Sequence, residues 1–251
     1  MNTWATAGLL GLVAGGALVI GAAIAWTIEL PHRVIAAVMG FGSGVLISVL
    51  AIDLVEKSFE SGGSVATLGG FLVGAIVFSG VNWLLSKGGA KNRNRCGGCV
   101  KQPKETEVSG SGLAIAVGAL LDGIPESLII GLSVTSDGAG LALVIGFFIA
   151  NVPQGLSSAS GMKDAGRSAT YVFSIWSAIA IASGMAAVAG HVAFQGASPE
   201  TQAVINSFAA GAILAMLAET MIPEAFEKAQ SFVGLITAVG FLTALVVFKL
   251  I

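Results

Sequence analysis

Two short stretches of the chain combine a proline with side-chain oxygen donors inside otherwise apolar sequence. The first is Leu121-Asp-Gly-Ile-Pro-Glu126. Asp122 and Glu126 are four residues apart, so on a helix they share one face. Pro125 lies between them, and a proline inside a helix leaves the carbonyl four residues back, that of Leu121, without its hydrogen bond. Two carboxylates and a freed carbonyl are oxygen ligands suited to a cation. The second stretch, Ala150-Asn-Val-Pro-Gln-Gly155, repeats the device with amides. Asn151 and Gln154 flank Pro153, which frees the carbonyl of Ile149. Asp53 and Glu219 are two further ionisable groups within long apolar runs. Ionisable groups in such runs are costly and usually functional. Paired carboxylates also support acid–base hydrolysis, but no nucleophile, histidine or protease motif accompanies these, so an enzyme is not expected.

The elements that carry these residues are expected to be membrane-spanning helices. The chain of 251 residues is 55% hydrophobic and 10% charged, where a soluble domain carries about 25% charged residues. Its mean hydropathy is +0.90. A crossing needs about 20 apolar residues. Eight stretches qualify, near 4–26, 34–55, 65–85, 111–133, 140–162, 171–193, 203–223 and 232–250. Polar or turn-forming segments separate them, among them Glu29-Leu-Pro-His-Arg33, Ser61-Gly-Gly-Ser64, Thr135-Ser-Asp-Gly138 and Lys163-Asp-Ala-Gly-Arg167. The first stretch has no basic residues before it and is read as a span, not a cleaved signal peptide. The 35 glycines follow no collagen period. Gly11/Gly15, Gly40/Gly44 and Gly70/Gly74 have the small-xxx-small spacing that lets membrane helices approach closely.

The chain is read as a single membrane domain: spans 1–3 over residues 1–85, a polar, basic, flexible connection over 86–110, and spans 4–8 over 111–251. With the N-terminus outside, ten of the 12 basic residues fall on inner segments, and only Lys57 and Lys249 fall on outer ones. Basic residues favour the cytoplasmic side. Both termini are therefore expected outside, in a cell (inner) membrane, with 86–110 in the cytoplasm. The net charge of −2 gives no support for nucleic-acid binding. Cys96 and Cys99 are too few for a disulfide scaffold. One CxxC is half a zinc site, and two reduced thiols in an unstructured loop is the plainer expectation. His32 and His191 stand at span ends and are read as interfacial.

An internal repeat links spans 2 and 7. The segment from Phe41 to Glu60 aligns without gaps to that from Phe208 to Glu227. Identical pairs are Phe41/Phe208, Gly44/Gly211, Leu50/Leu217, Ala51/Ala218, Phe59/Phe226 and Glu60/Glu227. With the orientation above, the two spans run in opposite directions, as in the inverted repeats of secondary transporters.

With these motifs in view, the chain resembles the ZIP family of divalent metal transporters. That family carries His-x-x-Pro-Glu-Gly on its fourth helix and a similar x-x-x-Pro-Glu-Gly on its fifth. Eight helices, a long basic loop after the third, both termini outside and the Pro223-Glu224 ending of span 7 extend the likeness over the whole chain. The resemblance implies an all-α bundle of eight helices, with inverted repeats (spans 1–3 and 6–8) around spans 4 and 5. It implies passage of zinc, iron or manganese towards the cytoplasm through a centre at Asp122, Glu126, Asn151 and Gln154. Asp53 and Glu219 would be entry or exit ligands or proton acceptors. The divalent ion is substrate, and no organic cofactor is expected. The partners are the ion, the bilayer and, as one option, a second copy in a homodimer.

The departures from the pattern carry their own expectations. Asp122 stands where the family has His, Gly123 where Asn is frequent, Gln154 where the fifth helix has Glu, and Ser127 where Gly follows Pro-Glu. Ala187 stands where many members carry a bridging Glu. Two carboxylates balance one divalent ion, which points to one bound metal. An all-oxygen set tilts towards manganese, iron(II) or magnesium, whereas the family favours zinc-type ions. The rival reading is a ZIP-fold protein that no longer moves metal, acting as a small-solute or proton pathway or as a metal-responsive membrane partner.

Overall fold

The computed structural model describes residues 3–87, 111–134, 140–229 and 232–250. Cys96, Cys99, most of the basic connection and the turn at 135–138 lie outside these. Every regular element among the described residues is helical: α1 (Thr3–Thr27), α2 (His32–Ser48), α3 (Lys57–Lys87), α4 (Ser111–Ser133), α5 (Gly140–Asp164), α6 (Ala169–Phe194), α7 (Pro199–Met216), α8 (Ile222–Ala229) and α9 (Val233–Leu250). π-Helical segments, Val49–Glu56 and Leu217–Met221, join α2 to α3 and α7 to α8. The eight apolar stretches of the sequence all coincide with helical chain. Six helical stretches among the described residues are long and apolar enough to cross a membrane: Thr3–Thr27, His32–Leu85, Gly140–Asp164, Ala169–Phe194, Pro199–Glu227 and Val233–Leu250.

The helix ends follow local chemistry. His32–Leu85 is interrupted at Gly63, whose φ of 70° and ψ of −175° suit glycine alone. This is the break expected at Ser61–Ser64. Gly166 at φ 80° ends the turn after α5, and Ser168 then caps α6 by accepting from the Tyr171 amide at 3.2 Å. Ser198 caps α7 in the same way, with Pro199 in the first turn. At the α5 end, the Lys163 ammonium donates to the Trp26 carbonyl at 3.1 Å and stands 5.6 Å from the Trp26 ring centre. Arg167 stacks over Tyr171 at 5.1 Å. Such basic–aromatic pairs suit a membrane–water boundary.

Helix packing is backbone-close and comes in matching pairs. A Cβ on Gly44 would run into the Thr237 carbonyl of α9, and one on Gly240 into the Phe41 carbonyl of α2. The same reciprocal contact joins α7 to α3, where Gly211 meets the Phe71 carbonyl and Gly74 the Phe208 carbonyl. The α1/α5 crossing, through Gly21 on Val152 and Gly155 on Leu18, has its counterpart in α6/α4, through Gly190 on Leu128 and Gly131 on Ala187. α1 also packs on α6, with Gly11 on Ala187 and Gly15 on Ala180. Of the glycine pairs read from the sequence, only Gly40 makes no closer than ordinary contact, 3.6 Å to Val233. Lipid tails are as apolar as leucine, so close packing of this kind is what holds a membrane bundle together. Large apolar side chains such as Val65, Leu72 and Ile76 on α3 and Leu235 and Leu242 on α9 remain exposed on the outside.

Candidate metal centre between α4 and α5

Pro125 and Pro153 both lie within continuous helix, and each keeps its donors inside the bundle. Asp122 and Glu126 are each 2% exposed, Asn151 4% and Gln154 5%. Asn151 ties three helices together. Its Nδ2 donates to the Ala14 carbonyl of α1 at 3.1 Å, and its side chain hydrogen-bonds the Glu126 carboxyl of α4. Asp122 stands close enough to Glu126 to act on it electrostatically. Glu126 Oε1 is buried and has no hydrogen-bond partner in the protein. A buried carboxylate oxygen left unsatisfied is costly, and a cation or an ordered water would relieve it. Ser127 turns its hydroxyl back onto the Gly123 carbonyl at 2.8 Å. The Pro153 ring lies against α2, where Gly42 leaves room for it.

Gln154 points elsewhere. Its Nε2 lies 3.3 Å from the Met221 sulfur and 3.9 Å from that of Met216, both fully buried. Two thioethers thus meet the Gln154 amide, which reading the chain for oxygen donors alone misses. Ser183, not Ala187, is the α6 residue level with the centre. Its Oγ is 3.6 Å from where a Cβ on Gly123 would be, whereas Ala187 is packed among Gly11 and Gly131.

Asp53 and Glu219 part company. Asp53 is 6% exposed and projects into the bundle, where Lys57 Nζ pairs with its Oδ1. It lines a cavity of about 50 Å³ with Lys57, Ile129, Ser133, Gln202 and Asn206. Ile129 is three residues beyond Glu126, a rise of about 4.5 Å, so the cavity opens just past the centre. Glu219 is exposed on the outer face of the bundle. Ser79 Oγ donates to its Oε1 at 2.5 Å and Asn82 Nδ2 to its Oε2 at 2.6 Å, both from α3. It is not gathered with the other candidates. The inward residue of that turn is Thr220, and the buried carboxyl of this region is Glu224, one residue after Pro223.

At the opposite end of α5, a cavity of about 220 Å³ is lined by Glu29, His32, Ser160, Lys163 and Asp164. Leu143 of α5 lines the first cavity and Ser160 the second, about 26 Å apart along the helix. Asn151 and Gln154 fall between them, and the buried Ser157 continues the polar stripe towards the larger cavity. His32 is half-buried at this cavity, as its position at a span end suggested. His191, in the last turn of α6, is buried within the bundle. It is 2% exposed, with Nδ1 3.3 Å from the Gly131 carbonyl and Nε2 3.0 Å from Thr3 Oγ1, because α6 runs past α4 at the closest point of their crossing.

Among the described residues, no three His, Cys, Asp or Glu side chains converge as a metal site. The centre is two carboxylates completed by an amide, with hydroxyls and thioethers nearby. No protein-family model matches the chain, and no curated protein matches it.

Proposed function

We propose that the chain is a ZIP-like transporter that carries a divalent cation of the zinc, iron or manganese type towards the cytoplasm. The observation that carries this reading is the buried set Asp122, Glu126 and Asn151 on two proline-bearing helices, midway between cavities at opposite ends of α5. A pair of carboxyl groups buried inside a membrane bundle is hard to explain as packing. In this reading the bundle crosses the membrane eight times, with His32–Leu85 crossing twice and α4 once. The matched packing of α2/α9 with α7/α3 and of α1/α5 with α6/α4 supports an inverted repeat around α4 and α5. The cation passes from the Asp53 cavity to Asp122 and Glu126, and then along Ser157 to the cavity at Glu29 and His32. The all-oxygen first contacts favour the harder ions of the class, manganese(II) or iron(II).

The test is metal uptake into proteoliposomes loaded with a chelating dye. Glu126→Ala should abolish uptake, and Glu126→Gln should reduce it severely, since the amide keeps the shape and loses the charge. Wild-type uptake by both variants would remove the centre from the mechanism. A second reading, a ZIP-like protein that no longer moves metal, draws on the absence of a three-ligand group among the described residues. It would stand if divalent cations neither entered the liposomes nor raised the melting temperature of the purified protein.

A further inference from the structure

The Asp53 cavity holds more than an entry ligand. Asp53 offers one oxygen to Lys57, while its Oδ2 is buried and has no hydrogen-bond partner. The Asp53 side chain is 7% exposed, whereas Lys57 is 46% exposed and reaches in from the rim. The remaining polar lining is Ser133, Gln202 and Asn206, all able to present an oxygen. Gln202 commits its amide nitrogen to the Ala197 carbonyl at 3.0 Å, which leaves its carbonyl oxygen to serve as acceptor. At about 50 Å³ the cavity has room for a water or a partly dehydrated ion. The π-helical segment Val49–Glu56 carries Asp53, and π-turns of this kind gather at functional sites.

Lys57 is also out of place by charge. It is one of only two basic residues on segments assigned to the outer side. Elsewhere the chain keeps positive charge away from the route by which a cation would arrive.

We propose that Lys57 is a tethered competitor cation: its ammonium occupies, on Asp53, the place that an entering divalent cation takes. Asp53, Gln202 and Asn206 then form an outer cation site, and Lys57 sets the concentration at which it fills. This rests on the transport reading for its role but not for its chemistry. A partly exposed lysine–carboxylate pair is weak, and the long lysine stem swings out without moving the helix. A divalent ion attracts the same carboxylate with twice the charge, so it displaces the ammonium when its concentration is high enough. No bond is made or broken beyond coordination, and no proton need move.

The experiment compares wild type, Lys57→Met and the double variant Lys57→Met/Asp53→Asn by two readouts. One is the half-saturating manganese(II) concentration for uptake into proteoliposomes. The other is the manganese(II) concentration needed to raise the melting temperature of the purified protein, measured also in a Glu126→Gln background so that the outer site reports alone. Lys57→Met should lower both concentrations roughly two- to fivefold, the range of a partly exposed ion pair that no longer has to be broken. Adding Asp53→Asn should erase that gain. Unchanged concentrations in Lys57→Met, or a gain that survives Asp53→Asn, would overturn the proposal and reduce the pair to a structural contact. If no variant moves metal but Lys57→Met still gains Asp53-dependent stabilisation, the transport reading fails and the outer cation site stands.

Discussion

Asp122, Glu126 and Asn151 meet because the turns around Pro125 and Pro153 both face the inside of the bundle, and the shared face of Asp122 and Glu126 is legible from spacing. Glu219 is the instructive miss. In the gapless repeat Asp53 aligns with Thr220, and Glu219 with Ile52. Thr220 is 6% exposed, like Asp53, while Glu219 faces outward. The alignment therefore held the signal, and weighing charge alone hid it. Gln154 shows the opposite limit, since no sequence pattern tells that two methionines from another helix will meet it. Two carboxylates in a low-dielectric site offset one divalent ion, and a second would face strong repulsion. Wild-type protein should therefore hold one equivalent of metal between α4 and α5. Asp122→His with Gln154→Glu trades one carboxylate for an imidazole and places another beside the thioethers of Met216 and Met221, so the anionic positions remain two. Elemental analysis of the purified double variant should therefore still show one equivalent between α4 and α5, with zinc gaining most. Two equivalents in the wild type would mean that amides and carbonyls carry far more of the charge balance than this account gives them.

At the scale of elements, the apolar runs mark the helices to within a few residues, and capping serines and positive-φ glycines mark several ends. The π-helical segments are invisible to that reading, because a hydrophobic period of 3.6 does not announce one wider turn. They fall at matching places in the repeat, within the Leu50/Leu217 and Ala51/Ala218 region. The glycines are legible as a class but not one by one. Gly211 sits where a Cβ would strike the Phe71 carbonyl, and Gly16 where it would strike nothing. Backbone cannot yield as a side-chain tip can, so Gly211→Val should cost about 3 kcal/mol or more. In practice it should leave little folded protein in detergent by size-exclusion chromatography. Gly16→Ala should change stability by less than about 0.5 kcal/mol. Equal behaviour of the two would show that the α3/α7 crossing is looser than its geometry.

For the whole molecule, the packing leaves orientation open, because the matched helix pairs look alike from both sides. Charge breaks the tie. Arg33, Lys163 and Arg167 cluster at the end with the larger cavity, and Lys57 lies at the other. Basic residues stay on the cytoplasmic side during insertion, so the larger cavity should face the cytoplasm and the Asp53 cavity the outside. The native thiols Cys96 and Cys99, on the connection between α3 and α4, should then resist an impermeant maleimide in intact cells and react once the membrane is opened. In a background with both changed to Ser, Gln202→Cys should label from outside, since Gln202 lines the outer cavity. Asp164→Cys should label only in opened cells, since Asp164 is exposed at the inner cavity. The reverse pattern would turn the bundle over and make the same route one of export, with Lys57 guarding the exit instead of the entrance. Labelling of both single variants from one side would be more damaging, because the two cavities would then share a compartment and no path through Asp122 and Glu126 could join one side to the other.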